Sequence, residues 1–68
     1  MTFAEYDMVR LRRAIPEHGL QSGALGAIVM VFSNPPGYEV EFCDSDGRTL
    51  ALVTLKENDL ELVSRATP

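Results

Sequence analysis

His18 and Cys43 are the chain's only histidine and only cysteine, and they are the residues best suited to proton transfer or nucleophilic attack near neutral pH. Each role needs company. His18 has Glu17 beside it, but no cysteine or second histidine lies near enough in the chain to suggest a metal set. Hydrolytic or transfer chemistry needs a nucleophile, a base and an orienting group to converge. Cys43 has no basic neighbour to depress its pKa and reads as a small packing residue at a strand end. Glu39 and Glu41 stand two apart, the spacing of a solubilising strand face rather than of a catalytic pair held in a pocket. Asp44 and Asp46 open like a calcium loop, but the twelfth position, where that loop needs an acid, is Leu55, and no helices flank it. No catalytic residue, metal or cofactor is assigned, and the chain is expected not to be an enzyme.

The other chemistry-bearing set is basic. Arg10, Arg12 and Arg13, with Arg48 further on, are the candidate patch for a nucleic acid. Against it stands a net charge of −4, from ten acids against six bases. An acidic chain repels phosphate backbones, and alternating arginines on a strand's wet face ordinarily keep that face solvated. The acids concentrate after residue 37, so Glu39, Glu41, Asp44 and Asp46 form a candidate acidic face for a basic partner.

The elements that must position these residues are short. With 68 residues, 46% hydrophobic and 24% charged, the chain makes one small domain, ordered over about residues 5 to 63. Residues 7 to 13 alternate as a half-buried strand, Val9 and Leu11 inward, Arg10 and Arg12 outward. A loop of about ten residues follows, with Pro16, Gly19 and Gly23, anchored by Ile15 and Leu20 and carrying His18 at its tip. Three glycines, Gly19, Gly23 and Gly26, then lead into an almost continuous apolar strand over residues 24 to 33.

That second strand presents a surplus. Either Ile28, Met30 and Phe32 or Ala27, Val29 and Val31 must face outward, so Val29 and Met30 are candidate positions for an interface or a self-contact. Asn34-Pro35-Pro36-Gly37 turns the chain, and Tyr38 to Phe42 alternates with Tyr38, Val40 and Phe42 inward. Asp44-Ser45-Asp46-Gly47 makes a hairpin into a strand over residues 48 to 55. A single turn at 56 to 59, of 3₁₀ type, precedes a last strand at 60 to 63, and residues 64 to 68 are expected to fray. The prediction is an all-β, five-stranded SH3-like barrel with a long first loop.

Asp7 to Leu11, Ile15 to Leu20, Gly23 to Val29, Tyr38 to Phe42 and Val53 to Leu55 together resemble a small bacterial family known as domain of unknown function 4926, over nearly the whole chain. The glycine-rich entry into an apolar strand is also similar, more distantly, to KOW motifs and to the barrel of the nitrile hydratase β subunit. These resemblances imply the fold and carry no activity.

One cysteine, no basic-then-apolar start and no long apolar run lead to the expectation of a cytoplasmic protein with no membrane contact. The expected function is a non-catalytic protein-interaction module. It would be an accessory or antidote-like partner of a neighbouring-gene product, or a self-associating homo-oligomer. The alternative is a KOW-like RNA or ribosome contact through Arg10, Arg12, Arg13 and Arg48.

Overall fold

A computed structural model describes residues 2–67. Five strands follow one another: β1 Met8–Leu11, β2 Leu25–Ser33, β3 Pro36–Cys43, β4 Thr49–Leu55 and β5 Leu60–Ser64. Single 3₁₀ turns lie at Pro16–His18 and Glu57–Asp59. There is no α-helix among the described residues, and so no helix long and apolar enough to cross a membrane. The strands form one antiparallel sheet in the order β4-β3-β2-β1-β5. That order is compatible with an SH3-like layout. The sheet is not closed into a barrel: β4 and β5 remain its two edges, joined in sequence by the 57–59 turn but sharing no ladder.

The sheet curls instead, and one apolar cluster fills its inner side. Val9 and Leu11 from β1, Ile28 from β2, Tyr38, Val40 and Phe42 from β3, Leu55 from β4 and Leu60 from β5 are all buried in it. Ile15 and Leu20 join them from the first loop, where they bridge to each other as the anchors of that loop. Gly19 and Gly23 hold φ of 69° and 91°, a region open to glycine at little cost. The outward positions of β3 alternate with buried ones as its sequence pattern requires.

β2 departs from both alternatives drawn from its sequence. Ile28 pairs with Val40 and Met30 with Glu39, so Val29 is an extra residue, a β-bulge. The bulge flips the alternation. Gly26 and Ile28 face inward before it and Val31 packs on the core after it, while Met30 points out. Neither Ile28-Met30-Phe32 nor Ala27-Val29-Val31 is therefore a single face.

The chain ends are also better held than their composition suggests. Phe3 is buried against the Tyr38 ring, edge-on, with centroids 5.2 Å apart. Arg65 and Ala66 do not fray: both donate hydrogen bonds to Asp7, the one buried charged residue among the described residues. Pro68 lies outside the described residues. Cys43 is exposed rather than packed, because it ends β3 on the outer side of the sheet.

Candidate interaction surface

The outer face is built from cross-strand rows. Met8 pairs with Ala27, Ala27 with Glu41 and Glu41 with Leu52, a row running from β1 to β4. Beside it run Met30, Glu39 and Thr54 on one side, and Arg10 with Leu25 on the other. Met8 is 36% exposed, Leu25 53%, Met30 50% and Leu52 54%. Neighbours in one row stand about 5 Å apart, so Met8 adjoins Ala27 with Leu25 on the diagonal, while Glu41 lies between them and Leu52 and Glu39 stands beside Met30, which makes the face a patch of mixed apolar and acidic side chains. Met8, Leu25, Gly26, Ala27, Glu41 and Cys43 line a shallow cleft of about 170 Å³ within it.

Glu39 and Glu41 are set into this patch. Each is half-buried and each accepts a hydroxyl from β4, Glu39 from Thr54 and Glu41 from Thr49 at 2.7 Å. These bonds fix the carboxylates upright on the sheet without neutralising them. The patch is thus apolar with fixed negative charge, a combination that suits a partner carrying apolar and basic groups.

Of the other acidic candidates, Asp44 builds its turn. Its Oδ1 accepts the backbone N–H of Asp46 and of Arg48, both at 2.9 Å, and Gly47 completes the turn with φ of 83°. Asp46 is exposed at the hairpin tip, beyond the end of the apolar rows. Val29 is half-buried in the bulge, and Met30 beside it carries the exposed surface.

The structure does not gather the four arginines. Arg10 faces Glu61 at 3.5 Å and Arg13 faces Asp59 at 2.9 Å, which offsets their charge locally. Burial pushes Asp59 up, but hydrogen bonds from Lys56 and Arg13 outweigh it and hold the carboxyl below its usual range. Arg12 is exposed beside this pair, and Arg48 lies at the start of β4, with β3 and β2 between it and β1. His18 and Glu17 are exposed on the 16–18 turn. No group of three or more His, Cys, Asp or Glu able to hold a metal forms among the described residues.

Two polar assemblies were not foreseen from the sequence. Asp7, 1% exposed, accepts from the amides of Ala66 and Ala4 at 2.9 Å each and from Arg65 at 3.1 Å. Those bonds, the Ala66 amide first, hold its carboxyl below the usual range against the effect of burial. The second assembly adjoins it through Thr2, whose carbonyl accepts from Arg65: the Tyr38 hydroxyl donates to Glu57 at 2.8 Å, and the Thr2 amide donates to the same oxygen at 2.9 Å. Glu57 is lowered to about 2, by Thr2 first and then by Tyr38, while burial raises the Tyr38 phenol. Tyr38 and Glu57 border an open depression of about 540 Å³ floored by Pro35, Pro36 and Gly37.

A family model described as a domain of unknown function (DUF4926) matches residues 5–62. No curated protein and no solved structure matches the chain.

Proposed function

Since the chain belongs to the DUF4926 family, whose description assigns no activity, we propose from its geometry that it is a non-catalytic protein-interaction module, docking its partner on the outer face of the sheet. The observation that carries this reading is the row Met8-Ala27-Glu41-Leu52 with Leu25 and Met30 beside it, an apolar patch with carboxylates fixed inside it. Exposed apolar side chains grouped in this way mark interaction sites more often than singly scattered ones do. Glu39 and Glu41 add selectivity for lysine or arginine among the covering side chains, and the acidic chain steers a basic partner toward contact.

The test compares tagged wild type with Met30→Glu in its native extract, with and without nuclease. A protein retained in stoichiometric amount by the wild type, resistant to nuclease and lost from Met30→Glu, supports the docking reading. Retention of RNA or ribosomal proteins that vanishes with nuclease moves the arginine-mediated RNA contact into its place.

A further inference from the structure

The two edges of the sheet are unlike. β5 is five residues long, and its Glu61 pairs with Arg10 of the neighbouring strand. β4 is seven residues long and carries no charged residue and no proline from Thr49 to Leu55. Edges normally guard their free backbone groups with charge, proline or a bulge. β4 has only a bulge at its start: Cys43 pairs with Thr49 and Phe42 with Ala51, leaving Leu50 as the extra residue. From Ala51 to Leu55 the register with β3 is unbroken, and alternate backbone N–H and C=O groups of this stretch face outward with no strand beside them.

The geometry points to a second copy of this chain as the occupant of that edge, pairing β4 with β4 antiparallel about Val53. Val53 is the midpoint of the bulge-free stretch, and the sequence is self-complementary around it. Val53 meets its own counterpart, Leu52 meets Thr54, and Ala51 meets Leu55. Positions of like parity meet, so inward residues continue the inner side and outward residues continue the outer face. No charge is brought opposite a like charge within the paired stretch. Beyond it, Arg48, which makes no ion pair among the described residues, is carried toward Asn58 and Glu57 of the second copy. A register one residue earlier, about Leu52, would set Arg48 against Lys56 and is disfavoured by that repulsion. The interface is a short strand edge, of the size class that gives weak, reversible dimers.

This inference stands apart from the docking reading, because it concerns the purified chain alone. Sedimentation equilibrium up to about 1 mM is expected to show a mass rising toward twice the 7.5 kDa of the chain. Leu52→Asp with Thr54→Asp sets acid against acid across the seam and is expected to weaken association at least about tenfold, a step of about 1.4 kcal/mol. Leu52→Asp with Thr54→Lys sets acid against base and is expected to restore it, and circular dichroism establishes that both variants are folded. In a Cys43→Ser background, Val53→Cys is expected to form a disulfide dimer on mild oxidation. Directly opposed strand residues lie about 4.5–5.5 Å apart, within disulfide range. Leu50→Cys is the control: its counterpart is offset by six residues, about 20 Å, and it is expected to stay monomeric. A wild type that remains at the chain mass throughout overturns the proposal, as does a dimer in which Leu50→Cys cross-links in preference to Val53→Cys.

Discussion

Arg65 Nη1 lies 3.1 Å from Asp7 Oδ2 and 2.8 Å from the carbonyl oxygen of Thr2, so one guanidinium ties the C-terminal tail to both the first strand's entry and the N-terminal segment. Asp7 is the hub, because its other partners are the amides of Ala4 and Ala66. Replacing it by alanine leaves those donors without an acceptor at a buried position, which is among the more damaging single changes available. Asp7→Ala is therefore expected to lower the melting temperature by several degrees and to strip hydrogen-exchange protection from the Ala66 amide. Arg65→Ala, whose side chain is half-exposed, is expected to do less of both. Equal protection of Ala66 in wild type and Asp7→Ala would contradict the clamp.

Gly26 lies directly against Val40 and Phe42 of the core. A Cβ built there would stand 2.7 Å from Val40 Cγ1 and 2.8 Å from Phe42 Cε1, distances that real side chains do not tolerate. Both neighbours are fully buried and cannot swing aside. Gly26→Ala is expected to cost about 1–3 kcal/mol by overpacking, read as a lower urea midpoint with an unchanged m value. Gly19→Ala would instead act through backbone conformation alone, since nothing lies within 4 Å of its Cβ position.

What the sequence displays and what it conceals follow from the range of the interactions. The Asp-Gly hairpin, the Pro-Pro-Gly turn and the alternation from Tyr38 to Phe42 are local patterns, and the strands they define appear where expected. The anchoring of Ile15 and Leu20 under the first loop is local too. The Val29 bulge is hidden because every residue around it is apolar, so no change of polarity marks the flip. Asp7 looks like a solvent-facing acid because the amide that holds it belongs to Ala66, 59 residues away. Tyr38 and Glu57 lie 19 residues apart and meet only because β4 returns the chain to β3. The outer patch is legible in part: the two glutamates follow from strand pattern and Met30 stands in one of the two alternative faces of the second strand, whereas Met8, Leu25 and Leu52 join them only through the register of four strands.

Acid stability should report the Glu57 site. Its carboxyl is about 2 in the folded chain against 4.5 as an ordinary glutamate, so the folded state binds its proton less readily than the unfolded state does. The stabilisation is complete above about pH 4.5 and is lost as pH falls toward 2. Asp7 and Asp59 are also depressed and act in the same direction. Urea unfolding measured from pH 7 to pH 2 is expected to show a plateau and then a decline below 4.5, and Glu57→Gln to be less stable at pH 7 with a shallower decline. Tyr38, raised above 10, works at the opposite end, its contribution being lost as pH rises through that higher value.

The bulge at Val29 makes a sharp prediction about neighbouring residues of nearly equal hydrophobicity. Ile28 is fully buried, Met30 is half-exposed on the outer face, and Val31 packs on the core. Unbroken alternation would give Ile28 and Met30 one fate and Val31 the other. With the bulge, Ile28 and Val31 share a face, and Met30 opposes both. Met30→Glu is expected to cost no more than about 1 kcal/mol, since the position is exposed and the new carboxylate stands opposite Glu39. Ile28→Ala is expected to cost about 2–5 kcal/mol through loss of buried contacts. Val31→Glu is expected to cost more than Met30→Glu, because Val31 is half-buried and packs on the core. Thermal and urea denaturation of the three variants decide the matter: a destabilised Met30→Glu beside a tolerated Val31→Glu would mean that the alternation runs through without a bulge, and that the apolar patch on the outer face belongs to the other set of residues.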